Sequence, residues 1–207
     1  MAIRTLQSRV QRNAKNRGVR IVNRKGWGSQ HRSLYWRRLI THPVSRVEAD
    51  TLWQHITVTR DDGTLPGEFF ADMREVERIG FERFGSGFSY NFGVDMKTGW
   101  VGVGMPLKAK GTHTVNNKPS EQPNFSRDQN AVARAVAFIG MPGDKPSEKA
   151  IIAVSQLFAA MMEERALTAQ PDYVPHRLVA AKSCPTDAVV AVMPRIHQLA
   201  HKWSKRK

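Results

Sequence analysis

Apolar residues recur at two periods along this chain, and each period predicts its own kind of element. In "GEFFADMREVERIGFERFG" (67–85), Phe69, Met73 and Val76 share one side at helical spacing, charges take the other side, and a glycine ends the run. "PSEKAIIAVSQLFAAMMEERAL" (146–167) predicts a longer apolar-faced helix opened by Ser147 as its N-cap. "PTDAVVAVMPRIHQLAHKW" (185–203) predicts a last helix, kinked or interrupted at Pro194. The shorter period marks strands. "LWQHITVT" (52–59) is rich in β-branched and aromatic residues and precedes the turn signal Asp-Asp-Gly. "FSYNFGVD" and "GWVGVGM" predict two strands joined through "DMKTG" as a hairpin, and "AVARAVAFIG" predicts a buried strand.

Between these elements, residues 106–129 carry Pro, Lys, Asn and Ser throughout and predict a long irregular connection of the kind that often serves function. Residues 1–17 place Ile3, Leu6 and Val10 on one side among arginines, which fits either a short amphipathic helix or a disordered basic arm. The ordered body is expected to begin near "RIVNRKGWGSQ" (20–30). Strands and helices alternate without a strict βαβ repeat. The expected fold class is therefore mixed α/β: a central mixed β-sheet with helices packed on it, in one domain over 18–207.

Charge adds a partner class to this picture. The formal net charge is +14, and residues 1–47 hold twelve Lys and Arg with no acid. Five more basic residues follow Asp187, again without an acid, while residues 48–194 hold fifteen basic and eighteen acidic side chains. A near-neutral body with basic ends implies an anionic partner surface, whether nucleic acid, anionic lipid or wall polymer, or else solvated charge that aids solubility. No apolar run approaches the roughly 20 residues a membrane helix needs. The first twenty residues lack the apolar centre of a secretory signal, so synthesis in the cytoplasm, with the cysteine reduced, is expected.

Candidate chemistry centres on Cys184, the single cysteine, eight residues after His176 in "HRLVAAKSC". Alone it forms no intramolecular disulfide, which leaves buried apolar filler, a nucleophile or a metal ligand. His55 sits inside a predicted strand and His113 in the long loop, within "KGTHTVNN". One Cys and two His ligands, with a fourth position left for water, is a catalytic zinc pattern; structural zinc more often closes the fourth position with another protein ligand. His197 and His201 are four apart on the last helix and read as solvated residues rather than a second metal pair. His31 and His42 read as surface residues.

"HRLVAAKSCP" (176–185) resembles the C-terminal metal motif of the zinc-dependent N-acetylmuramoyl-L-alanine amidases of the phage-lysozyme and peptidoglycan-recognition-protein superfamily, with its spaced His and Cys, a Lys two residues before the Cys and a Pro after it. "RIVNRKGWGS", "HITVT", "FSYNFGV" and "GTHTVNN" resemble further segments of that family in the right order, over roughly residues 20 to 200. The resemblance implies one Zn2+ held by His55, His176 and Cys184, with Tyr90 and Lys182 as catalytic helpers and His113, Asn116 and Asn117 beside the substrate. It implies a zinc-containing groove on one face of the sheet, and hydrolysis of the amide between N-acetylmuramic acid and the first L-alanine of the stem peptide. The chain departs from the family pattern at Ile56, where a His or small polar residue often follows the first ligand.

A phage endolysin is the expected type. It would be monomeric, made in the host cytoplasm, and would act on the cell wall once the membrane is permeabilised. Its partner would be bacterial peptidoglycan, with the basic termini on anionic wall polymers or the membrane surface. The alternative is a peptidoglycan-binding module of the same fold that does not cut; loss of the zinc cysteine usually marks that state, and Cys184 is present. A nucleic-acid binder, with Trp27, Tyr35 and Trp36 stacking on bases, has no recognition motif behind it and is not expected.

Overall fold

The strand-forming segments meet in one six-stranded sheet, seen in a computed structural model that describes residues 5–57, 68–114, 128–141, 143–179 and 183–205. Among these residues the elements run α1 (Leu6–Asn16), β1 (Ile21–Val22), α2 (Arg32–Thr41), β2 (Ala49–Ile56), α3 (Phe69–Phe84), β3 (Phe92–Asp95), β4 (Val101–Val103), α4 (Gln129–Val132), β5 (Arg134–Ile139), α5 (Glu148–Glu163), β6 (Leu167–Pro175) and α6 (Asp187–Trp203). The sheet order is β1-β4-β3-β5-β2-β6. Only the β3–β4 hairpin is antiparallel; the other four pairings are parallel, so the sheet is mixed as expected. The turn signal after residue 60, with Ile3, Lys182, Asn116 and Asn117, lies outside the described residues.

Each face of the sheet is covered by its own helices. On one face, Leu52 and Ile56 of β2, Val136 and Phe138 of β5 and the apolar residues of α5 form the larger core with α1 and α6. The helix α5 is apolar nearly all round, as a helix buried on several sides must be. Ser147 caps it, accepting from the Ala150 amide at 3.2 Å. We expect Ser147→Ala to lower stability by about 1 kcal/mol, read as a lower urea midpoint at unchanged slope.

On the opposite face α3 lies close to the strands because Gly102 leaves room: a Cβ there would fall 2.4 Å from Met73 Cε. Glu77 of α3, buried, accepts from Ser29 Oγ at 2.5 Å, Tyr35 Oη at 2.7 Å and the Gln30 amide at 2.8 Å. One buried carboxylate thereby ties α2 and the segment before it to α3, and its three donors offset the cost of burying the charge.

The body begins earlier than the sequence reading puts it. Leu6, Val10 and Ala14 stand one turn apart on α1 and are buried in the α5 core. Arg9 pairs with Glu164 at 3.1 Å and Arg17 with Glu163 at 2.6 Å, while Arg17 also donates to the Trp203 carbonyl at 3.0 Å. Part of the basic N-terminal charge is therefore used within the fold. The helix α6 runs unbroken through Pro194, whose residue is exposed. Buried Val189, Met193, Ile196 and Ala200 hold the helix on either side of the missing amide hydrogen bond.

Candidate metal centre

β2, β6 and the segment leading into α6 converge on one point. β2 pairs in parallel with both β5 and β6, which places its C-terminal end beside the end of β6. His55 lies one residue from the end of β2, on the same side of the strand as Trp53. His176 opens the short 3-10 turn that follows β6, and Cys184 stands just before α6. All three are buried, and one ligand atom from each lies within 4.8 Å of the others. The Cys184 Sγ is 3.7 Å from His55 Nδ1, and the His55 and His176 rings are 4.4 Å apart between centroids.

This donor set fits zinc. Two ligands on a tetrahedral zinc, one nitrogen and one sulfur, stand about 3.6 Å apart, close to the separation of His55 Nδ1 and Cys184 Sγ. Ligand imidazoles must be neutral. Burial first, and then the neighbouring His176 and His113, hold His55 well below the usual imidazole range. The Ile56 amide points at Cys184 Sγ at 3.5 Å and steadies the sulfur from the backbone. A polar cluster of this kind, buried from water, is costly unless a ligand compensates it.

Two more of the expected residues stand at the cluster. Tyr90 puts its ring 4.8 Å from that of His55. It lies just before β3 rather than within it. Burial, and after it the Cys184 charge, raise the Tyr90 phenol well above its ordinary range, so it is a neutral donor. His113 is 5.5 Å from His55, edge to face, with both ring nitrogens buried and without a partner among the described residues. Burial, then His176 and Arg134, pull its pKa down to about 3. Gly111 makes room for this ring, since a Cβ there would meet His113 Cδ2 at 2.7 Å. Asn130 pins the segment by accepting from the Thr114 amide at 3.1 Å and donating to the Thr114 carbonyl at 2.7 Å.

The sequence reading passed over the support around the cluster. Trp53 stands edge-on to His176 at 6.5 Å and donates through Nε1 to Gln129 Oε1 at 3.2 Å. Its position two residues before His55 was the available signal, because side chains i and i+2 share a face of a strand. Arg134, almost wholly buried, donates to the carbonyls of Ala133 at 2.9 Å, Arg46 at 3.0 Å and Val47 at 2.6 Å. His197 and His201 do not stand free on α6: their Nε2 atoms are 2.9 Å apart, and His197 lies parallel to Tyr173 at 6.3 Å.

No protein-family profile and no curated protein sequence matches the chain. Its fold, however, is that of solved peptidoglycan recognition proteins and of an amidase endolysin. Drosophila PGRP-SA superposes with a TM-score of 0.62 at 22% identity, covering 81% of this chain and 86% of that one. Human PGRP-IBETAC in complex with glycosamyl muramyl pentapeptide gives a TM-score of 0.61 at 21% identity, over 81% of this chain and 90% of that one. The endolysin N-acetylmuramoyl-L-alanine amidase LysCS from Clostridium intestinale gives 0.53 at 20% identity, over 74% of this chain and 87% of that one.

Proposed function

We propose that this chain is a zinc-dependent N-acetylmuramoyl-L-alanine amidase of the phage endolysin type. The observation that carries the proposal is the buried convergence of His55, His176 and Cys184 with Tyr90 against it. The peptidoglycan fragment bound by one structural neighbour and the amidase activity named for another support the substrate and the bond.

His55, His176 and Cys184 would hold the metal, which supplies a Lewis acid that activates water and polarises the scissile carbonyl. The chain's own residues do the rest. The Cys184 thiolate would offset part of the metal's charge, and the two imidazoles would bind in their neutral form. The Tyr90 hydroxyl makes no hydrogen bond to a described residue and remains free to donate to the carbonyl oxygen as negative charge develops there. Lys182, two residues before Cys184, would add positive charge at the same oxygen. His113, kept neutral, faces His55 and would contact the stem peptide, with Asn116 and Asn117 further along that segment.

The deciding experiment digests purified peptidoglycan and counts new N-terminal L-alanine. Release of alanine ends establishes the amidase; wall binding without release replaces it by the non-cutting module. Removal of the metal has its own signature. A ligand present at 100 to 1,000 times its Kd adds about 2.7–4.1 kcal/mol to stability. For a chain of this size each kcal/mol moves Tm by roughly 2–4 °C. A chelator should therefore lower Tm by about 5–15 °C, and equimolar zinc should restore it. An unchanged Tm would count against a resident metal.

The enzyme would reach the wall after the membrane is opened by another agent and would act there as a monomer. The basic residues not paired within the fold would hold it on anionic wall polymers. Wall binding should then weaken severalfold between 0.05 and 0.5 M salt, roughly as the screening length contracts from about 14 to 4 Å. Binding indifferent to salt would exclude that anchoring.

A further inference from the structure

A cavity of about 470 Å³ opens between α1, α2 and the segment after β4, and it shares no residue with the metal centre. Its volume is that of a small-molecule site, which spans about 300–1,000 Å³. The wall chemistry divides in two. One part is carbon: Leu6, Trp36, Leu39, Pro106 and Leu107. Trp36 is 67% exposed there, a large apolar surface left uncovered.

The other part is polar, and two of its buried donor atoms have no acceptor among the described residues. Arg24 lines the cavity, with Nε donating to the Gly104 carbonyl at 2.7 Å and the guanidinium 4.5 Å above the Tyr35 ring. Its Nη2 is buried and meets no acceptor among the described residues, and the Glu77 charge acts on it only from beyond ion-pair distance. Gln7 accepts from the Leu107 amide at 3.0 Å through Oε1, while its Nε2 is likewise buried and unbonded. Lys108, exposed, lines the cavity beside them and pairs with no described acid. Buried donors left unpaired each cost about 1–3 kcal/mol, more when charged, and such a cost persists where a ligand relieves it.

We propose that this cavity binds an anionic amphiphile, with a carboxylate or phosphate head received by Arg24, Gln7 and Lys108 and an apolar chain laid along Leu6, Trp36, Leu39 and Leu107. A head-and-chain ligand satisfies both parts of the wall. A purely ionic ligand would leave the carbon uncovered, and a purely apolar one would cover the guanidinium without giving Nη2 an acceptor. Free fatty acids and anionic phospholipids in a bilayer share this chemistry.

The test follows tryptophan emission of the full chain titrated with dodecanoate below its micelle concentration, with uncharged dodecanol, and with vesicles of phosphatidylglycerol or phosphatidylcholine. Trp36→Phe identifies the reporter. Dodecanoate should shift the emission to the blue and saturate, the shift should vanish in Trp36→Phe, and dodecanol should bind at least tenfold more weakly. Arg24→Met should abolish the preference for the carboxylate; if that variant does not fold, Gln7→Leu and Lys108→Gln should each reduce the preference severalfold. A response to phosphatidylglycerol vesicles, with none to dodecanoate or phosphatidylcholine, identifies a bilayer lipid as the source of the head. Equal binding of dodecanoate and dodecanol, a shift that survives Trp36→Phe, or silence with every probe overturns the proposal.

Discussion

Cys184→Ser should leave a folded chain that holds no zinc and releases N-terminal alanine from peptidoglycan at least 10³-fold more slowly. The side chain is 7% exposed, its sulfur stands 3.7 Å from His55 Nδ1, and it meets both the amide and the carbonyl of Ile56, at 3.5 and 3.4 Å. A thiolate in that place would serve as a metal ligand. A serine hydroxyl keeps its proton at neutral pH and leaves two imidazoles to hold the ion. A metal contributes several kcal/mol of transition-state stabilisation, and about 4 kcal/mol corresponds to a factor of 10³ in rate. Three measurements decide the matter together: zinc per chain, alanine release and the far-ultraviolet circular dichroism of the variant. Loss of zinc and of activity with an intact spectrum supports the assignment. Full activity without zinc would end it.

Much of this candidate metal site is legible in the residues because metal ligation needs few residue types at restricted spacings. His176 and Cys184 are close in the chain, and His55 sits in a segment whose β-branched and aromatic content marks a strand. The structure brings all three within one small volume. Elements whose stability comes from neighbours are harder to read. β6 contains Pro171, Pro175, Gln170 and Asp172, pairs with β2 alone at the sheet edge, and shifts register between Ala49 and Thr51. No local alternation announces such a strand; it forms because β2 offers it unpaired amides and carbonyls. β1 has two residues, too few for a period.

The helix α2 was missed for a different reason. Tyr35 is its one buried residue, held through Glu77 of α3 and through the Phe88 amide at 3.0 Å. Trp36 and Ile40 remain 67% and 82% exposed. A helix anchored by hydrogen bonds to one tyrosine, with apolar residues facing outward, presents no apolar stripe to find. Pro194 shows the reverse case, a strong local signal overruled. A proline inside a helix costs about 3 kcal/mol, and the buried row from Val189 to Ala200 offsets it.

Tyr90→Phe should lower kcat by about 10²–10³, the effect of losing one donor to a developing oxyanion, and leave the zinc content unchanged. Phenylalanine keeps the ring that packs 4.8 Å from His55 and 5.6 Å from Phe88, so the variant removes the hydroxyl and little else. Because burial, and then the Cys184 charge, raise the phenol's pKa, the hydroxyl retains its proton under working conditions and acts as a donor. A donor that strengthens its bond only as the carbonyl oxygen gains charge contributes to kcat rather than to substrate affinity, so KM should change little. On the proposed mechanism the ring serves the fold and the hydroxyl the reaction, and this substitution separates them. An unchanged kcat would reduce Tyr90 to packing beside His55 and Phe88. A raised KM at constant kcat would make the hydroxyl a contact to the ground-state substrate.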